Sequence, residues 1–223
     1  MSTQPLISCI MPTRDRRRYV PQAIECWQRQ TYEPKELVVV DNGDDAVHDL
    51  IPPGVTYFRI PEEEGKLTTG AMRNRAIQVS GGSMIAHWDD DDWSHPNRLF
   101  EEYRMMQQMC VALVGYNEMY FMAEDTEEAW LYKNTDLYAI GTSLLYTRHY
   151  WRSHPFPDLA VCEDTEFQND AQWRRAMTCR AAQDRMVARV HGANTSEKRQ
   201  WMIPPMWQPV SYEHVRSFLL CTR

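Results

Sequence analysis

Short, wholly apolar runs alternate with stretches of helical periodicity through the first half of the chain. Residues 6–11, Leu-Ile-Ser-Cys-Ile-Met, end at Pro12 and predict a buried strand. Val20, Ala23, Ile24 and Trp27 then recur at helical spacing, with Pro21 in the first turn, where a missing N–H is tolerated. Leu37 followed by Val38, Val39 and Val40 predicts a central strand covered on both faces, with Asp41 at its carboxyl end. The pattern repeats: residues 55–60 read as a strand, 69–79 as a helix and 84–88 as a strand, Gly81 and Gly82 suiting the helix end. Such alternation predicts an α/β fold, a mostly parallel sheet with helices on both faces, and ligands of such sheets bind beyond the strand carboxyl ends.

The second half is less regular. Ser94 and Pro96 mark a helix start, and Leu99, Phe100, Tyr103 and Met106 form its apolar stripe. Residues 111–114, 119–122 and 140–146 predict strands, 165–177 a helix and 186–190 a last strand. The tail from Trp201 holds Pro204, Pro205, Trp207 and Pro209. It is too apolar to float free and is expected to pack on the domain or on a second copy of the chain, as a homodimer. With 223 residues and no internal repeat or linker, a single domain over residues 1–223 is expected, divided at about residues 96 and 200.

Composition narrows the class. Hydrophobic residues make up 43% and charged residues 25%, with nine glycines and thirteen prolines, which excludes collagen-like, low-complexity and disordered chains. No apolar run approaches the roughly 20 residues of a membrane span. The amino terminus lacks the basic and apolar stretches of a secretory leader, so cytoplasmic residence is expected. Six scattered cysteines with no C-x-x-C pair read as buried thiols. A formal charge of -7 disfavours nucleic acid as a partner. Arg14, Arg16, Arg17 and Arg18 crowd one loop, and a solvated face competes with a local basic patch as the explanation.

The sharpest chemical feature is His87-Trp88-Asp89-Asp90-Asp91-Asp92-Trp93, four carboxylates directly after an apolar strand. Their repulsion, on the order of 1 kcal/mol per close pair even in water, calls for a cation or donors. Mg2+ or Mn2+ suits such hard oxygen ligands, taking one or two carboxylates plus substrate phosphates. An isolated acid run would more often be an exposed helix cap; its place at an inner strand's carboxyl end changes the odds. The loops after the first, second and fourth strands converge there, bringing Thr13 and Arg14, Asp41 and the acid run around a crevice that fits a nucleotide. Lys66 or Arg73, before and along the next helix, adds a cation for phosphate, while Arg75 reads as solvated. Neither a G-x-G-x-x-G nor a P-loop motif is present.

Six segments in order resemble a family-2 glycosyltransferase of the GT-A fold. They are Ile10-Met11-Pro12-Thr13-Arg14-Asp15-Arg16, Gln30-Thr31-Tyr32, Val38-Val39-Val40-Asp41-Asn42-Gly43, Ala71-Met72-Arg73-Asn74-Arg75-Ala76-Ile77, the acid run with Pro96, and Cys162-Glu163-Asp164-Thr165-Glu166-Phe167. The resemblance covers residues 5–196 and implies a nucleotide-sugar-binding half over 1–96, an acceptor and catalytic-base half over 97–200 and a packed tail over 201–223. It implies transfer of a sugar from a nucleoside diphosphate sugar, most plausibly a UDP-sugar, to an acceptor hydroxyl with inversion. By motif position, Pro12, Thr13, Arg14, Asp41, Lys66, Arg73, Asp89 and Asp90 would bind the donor. Asp91 would be the principal ligand of Mn2+ or Mg2+, with Asp89 in its shell, and Asp164 the base. Without the resemblance, Asp164 reads as a helix cap. His191 sits in a segment that also resembles the family and is carried over as a metal ligand, against the commoner role of a hydrogen-bonded strand-end histidine. Trp201 and Trp207 are candidate acceptor contacts, since indole faces suit sugar rings, with core packing the competing role. Arg14-Asp15 departs from the family's usual aromatic-Asn pair and leaves base preference open. A sugar-nucleotide pyrophosphorylase, whose Gly-rich opening loop is missing here, and a non-catalytic sugar-nucleotide or glycan-binding module are the alternatives.

Overall fold

A computed structural model of the chain describes residues 4–134, 137–173, 177–181, 184–195 and 204–220. In chain order they form β1 (Ile7–Thr13), α1 (Val20–Gln28), β2 (Lys35–Asp41), β3 (Thr56–Arg59), α2 (Thr69–Val79), β4 (Met84–His87), β5 (Trp93–Ser94), α3 (Arg98–Met109) and β6 (Leu113–Ala123). There follow β7 (Glu128–Lys133), β8 (Leu145–Thr147), α4 (Arg148–Ser153), α5 (Glu163–Trp173), β9 (Met177–Ala181), β10 (Met186–Arg189), β11 (Trp207–Val210) and α6 (Tyr212–Leu220).

The apolar runs became the inner strands. β1 lies between β2 and β4, parallel to both, and β3 extends the parallel set beside β2. Leu37 to Val40 are fully buried, Leu37 and Val39 in the core beneath α1 and Val38 and Val40 in the core beneath α2, as a strand covered on both faces requires. The chain runs outward from β1 to β2 and β3, then returns to β4 on the other side of β1. That reversal opens a crevice at the carboxyl ends of β1 and β4, where Thr13 and the acid run stand. α2 begins at Thr68, whose hydroxyl accepts from the Ala71 N–H.

Beyond β4 the sheet turns antiparallel through β8, β6, β7 and β11, while β9 and β10 join β6 in parallel. Several expectations change here. The two strands expected over 111–114 and 119–122 are one strand, β6, irregular at Tyr116 and Glu118 against β9. Residues 140–146 divide into a single 3₁₀ turn, Gly141–Ser143, and β8. The helix expected over 165–177 starts earlier, at Glu163, and Met177 belongs to a strand. Two cysteines depart from the buried reading: Cys110 closes α3 in a left-handed conformation and Cys162 has φ 67°, and both are exposed, whereas Cys9 and Cys26 are buried. Cys221 lies outside the described residues. The tail packs on the domain itself, β11 pairing with β7 so that Trp207 faces Tyr132. No described helix is long and apolar enough to cross a membrane.

One buried ion pair anchors the strand that carries the acid run. Arg98, 1% exposed, donates to Glu102, 0% exposed, at 3.0 Å, and its other nitrogens reach Ser94 Oγ and the carbonyls of His87 and Thr142. Replacing one partner leaves the other charge buried alone, a loss of about 3–5 kcal/mol. Arg98→Met is therefore expected to lower the unfolding free energy by that order, read from a lowered urea midpoint at unchanged slope, with Arg98→Met/Glu102→Leu recovering part of it; an unchanged midpoint in the single variant contradicts the assignment.

Candidate active site

Each carboxylate of the acid run has its own partners, so that four like charges are held in a space where bare they would repel. Asp89 Oδ1 accepts from Arg73 Nη2 at 3.2 Å. Asp90, fully buried, accepts from Thr13 Oγ1 at 2.6 Å and Arg16 Nη1 at 3.1 Å. Asp91 Oδ2 receives Arg16 Nη1 at 3.3 Å and Asn194 Nδ2 at 3.2 Å, and lies 3.0 Å from His191 Nε2. Asp92 points to the second half, accepting from Thr142 Oγ1 at 2.6 Å and the Arg189 N–H at 3.1 Å. Burial and the neighbouring Asp91 push the Asp90 carboxyl up to about 7 despite the pull of Arg16.

Arg73 ties this run to the amino terminus of α5. It is 5% exposed, and its Nε donates to Glu163 Oε1 at 3.2 Å. Burial opposes its charge, but Asp89, Glu163 and Asp164 outweigh that and raise its pKa. Its Nη1 is buried with no hydrogen-bond partner among the described residues. Asp164 stands next to Glu163, its Oδ1 accepting from the Thr165 N–H at 2.9 Å. Burial raises its carboxyl above the usual aspartate value, against the lowering effect of Arg73. Gly141 makes the space: a Cβ there would lie 1.8 Å from Asp164 Oδ2. Beneath, His87 Nδ1 meets the Gly141 carbonyl at 2.6 Å, so that nitrogen carries the proton, and burial followed by Arg73 keeps the ring neutral.

Pro12, Thr13, Arg14, Arg73, Asp89, Asp90, Asp91 and Asp164 all line one cavity of about 620 Å³. Three residues expected at the site, Asp41, Lys66 and His191, do not line it. Asp41 is fully buried, and its two oxygens are taken by the N–H groups of Gly43 and Val47, the Tyr57 hydroxyl and Arg59 Nη1. Those contacts shape the β2 loop. Lys66 pairs outward with Asp44 at 2.6 Å and with the Asn42 carbonyl. The second loop acts on this wall through Asn42, whose Oδ1 accepts from Arg14 Nη2 at 2.7 Å. His191 reaches Asp91 from an adjoining cavity and stacks on Tyr19 at 4.4 Å. Trp207 lines the main cavity with Tyr132; Trp201 lies outside the described residues. Arg75 pairs with Glu64 at 2.7 Å.

Three participants were not singled out from sequence. Arg16 belonged to a loop of four arginines, of which Arg18 is 70% exposed and Arg17 pairs with Asp49, so the solvated reading holds for part of the loop and fails for Arg16. Glu163 and Asn194 lie in segments that resemble the family, beside Asp164 and after His191, but neither has a role of its own in the sequence reading. Asp91 Oδ2 and His191 Nε2, hydrogen-bonded at 3.0 Å, are the oxygen and nitrogen donors that a divalent cation would take in place of that bond, with loss of the Nε2 proton. Among the described residues no group of three His, Cys, Asp or Glu gathers around one point.

The model of the family described as "Glycosyl transferase family 2" matches residues 8–182. The chain belongs to this family. WcaA of Escherichia coli (strain K12), a glycosyl transferase named for colanic acid biosynthesis, is 36% identical over 127 residues, 54% of this chain and 44% of that one. In fold, the chain resembles Staphylococcus aureus TarS solved with UDP-GlcNAc, TM-score 0.68 at 15% identity, over 85% of this chain and 60% of TarS. It also resembles the mannosyltransferase PcManGT of Pyrobaculum calidifontis solved with GDP-Man and Mn2+, TM-score 0.66 at 15% identity, over 87% and 59%. The GT-A architecture expected from the sequence is thus the one observed. The chain spans less than two thirds of each of these proteins.

A raised carboxyl makes a pH prediction. Asp90 holds its proton in the fold up to about 7, against 3.8 for the free side chain, so its stabilising contribution is complete below pH 3.8 and is lost as pH rises through 7. In metal-free protein the wild-type melting temperature is expected to fall more steeply than that of Asp90→Asn between these limits. Parallel pH profiles contradict the shift.

Proposed function

We propose that this chain is a metal-dependent, inverting glycosyltransferase that moves a sugar from a nucleoside diphosphate sugar, a UDP-sugar in the leading reading, to an acceptor hydroxyl. One observation carries the reading: Asp89, Asp90 and Asp91 from the β4 side and Asp164 from α5 line the same cavity, with Arg73 bridging Asp89 to Glu163. Family membership supports the reaction class. TarS was solved with UDP-GlcNAc and PcManGT with GDP-Man and Mn2+, which supports a diphosphate donor with a divalent ion.

Asp91 and His191 would hold Mn2+ or Mg2+, with Asp89 at the cavity side of the same run. A bound ion supplies positive charge where negative charge grows on the departing diphosphate. The Thr13 hydroxyl, which gives its proton to Asp90, keeps lone pairs for a nucleoside N–H or O–H. Arg14, steadied by Asn42, stands on the same wall. Arg73 Nη1 offers a buried, unpaired donor to a ligand oxygen.

Asp164 takes the acceptor proton as the hydroxyl oxygen attacks the anomeric carbon from the face opposite the diphosphate. Burial raises its pKa, which makes the carboxylate a stronger base than an ordinary aspartate. Aromatic side chains Tyr132 and Trp207 complete the cavity wall on the side where the second half of the sheet lies, an arrangement suited to the acceptor.

Asp164→Asn is expected to bind UDP with Mn2+ as the wild type does and to lose transfer by at least about 10²-fold, whereas Asp91→Ala should lose the metal-dependent part of UDP binding. The acid limb of the wild-type transfer profile should lie above that of a free aspartate. A panel of UDP- and GDP-sugars followed by thermal shift selects the donor, and calorimetry with product analysis checks each variant. Full transfer in Asp164→Asn contradicts the base, and UDP affinity indifferent to both Mn2+ and Asp91→Ala contradicts the metal.

A further inference from the structure

Arg16 divides its donors between two neighbours. Nη1 faces inward, to Asp90 Oδ1 at 3.1 Å and Asp91 Oδ2 at 3.3 Å. Nε and Nη2 face outward, to the Ala193 carbonyl, with Thr195 Oγ1 3.3 Å from Nη2. The same loop presents His191 and Asn194 to Asp91 Oδ2. That oxygen therefore has three neighbours at 3.0–3.3 Å, more than a carboxylate oxygen satisfies at good geometry.

A guanidinium and a divalent ion on one carboxylate oxygen repel each other at a distance where screening is weak. Both cannot hold Asp91 Oδ2 well. Arg16 has somewhere else to go: together with Ala193 it lines both the main cavity and an adjoining one of about 660 Å³. Its side chain is 15% exposed, at the boundary between the two. From there a guanidinium reaches ligand oxygens over the acid run, and its planar fork suits phosphate.

We infer that Arg16 is an exchangeable counter-ion: it neutralises Asp90 and Asp91 in the unliganded protein and turns to the donor's diphosphate when those carboxylates engage a divalent cation. The inference rests on the donor-binding reading above. It separates Arg16 from a purely structural ion pair, because the exchange gives a single substitution opposite effects on two ligands. Loss of Arg16 frees Asp91 for the ion and removes a positive group from the diphosphate.

The test is binding of Mn2+ alone, followed by electron paramagnetic resonance on chelator-stripped full chain, and of UDP and uridine by calorimetry at saturating Mn2+. In Arg16→Gln the affinity for Mn2+ without nucleotide is expected to rise about tenfold, and that for UDP at saturating Mn2+ to fall about tenfold, with uridine unchanged. Arg16→Lys, which keeps the charge without the fork, should fall between wild type and Arg16→Gln for both. Mn2+ affinity unchanged or weakened in Arg16→Gln, or UDP affinity unchanged, overturns the inference while leaving donor binding intact. A folding defect weakens both ligands together and so counts against it through Arg16→Lys as well. If the wild type binds neither Mn2+ nor UDP, the donor-binding reading falls and this inference with it.

Discussion

Four consecutive carboxylates can sit at the end of an inner strand only where each finds a cation or a donor, and the fold is arranged around meeting that condition. Arg73 comes from α2, Arg16 and Thr13 from the end of β1 and its loop, Thr142 from the turn before β8, and His191 and Asn194 from the segment after β10. Partners from four separate stretches of chain meet one run of four residues. The sheet's reversal at β1 and β4 is what makes the meeting geometrically available. Burial of this kind adds little net stability; it fixes where charge sits and leaves a cavity whose walls differ in polarity.

Arg73 gives the arrangement its functional sense. Without it, the acid run and the α5 terminus would be two separate negative clusters; with it, Asp89 and Glu163 share one buried guanidinium and Asp164 is held beside them. Gly141 completes the geometry from the opposite side, since any larger residue would occupy the position of the Asp164 carboxylate. The catalytic-base candidate is therefore placed by a residue of the parallel half and by a turn of the antiparallel half, which explains why neither half alone would make this site.

Much of the first half was legible because its signals are local. Val38, Val39 and Val40 can only be an inner strand when helices flank them, and the Pro12 stop and the Asp89 run mark strand ends directly. The second half was less legible because its strands owe their existence to long-range pairing: β9 has a weak local pattern and is held by β6, and residues 140–146 bend at Gly141 to make room for Asp164. Individual site residues divided along the same line. Thr13, Asp89, Asp90, Asp91 and Asp164 line one cavity, but Asp41 turns inward to four local donors that no spacing rule announces. Arg16 was hidden among arginines that share its loop but not its partners.

In the proposed reaction this cavity brings a cation-bearing diphosphate and the Asp164 carboxylate to opposite sides of one sugar. Crystals soaked with UDP and Mn2+ and measured at the manganese absorption edge test it most directly. The account predicts a single anomalous peak in the cavity within bonding distance of both Asp91 and a diphosphate oxygen, with Asp164 facing it across open space. A peak elsewhere, or UDP density on a different face of the sheet, would contradict it.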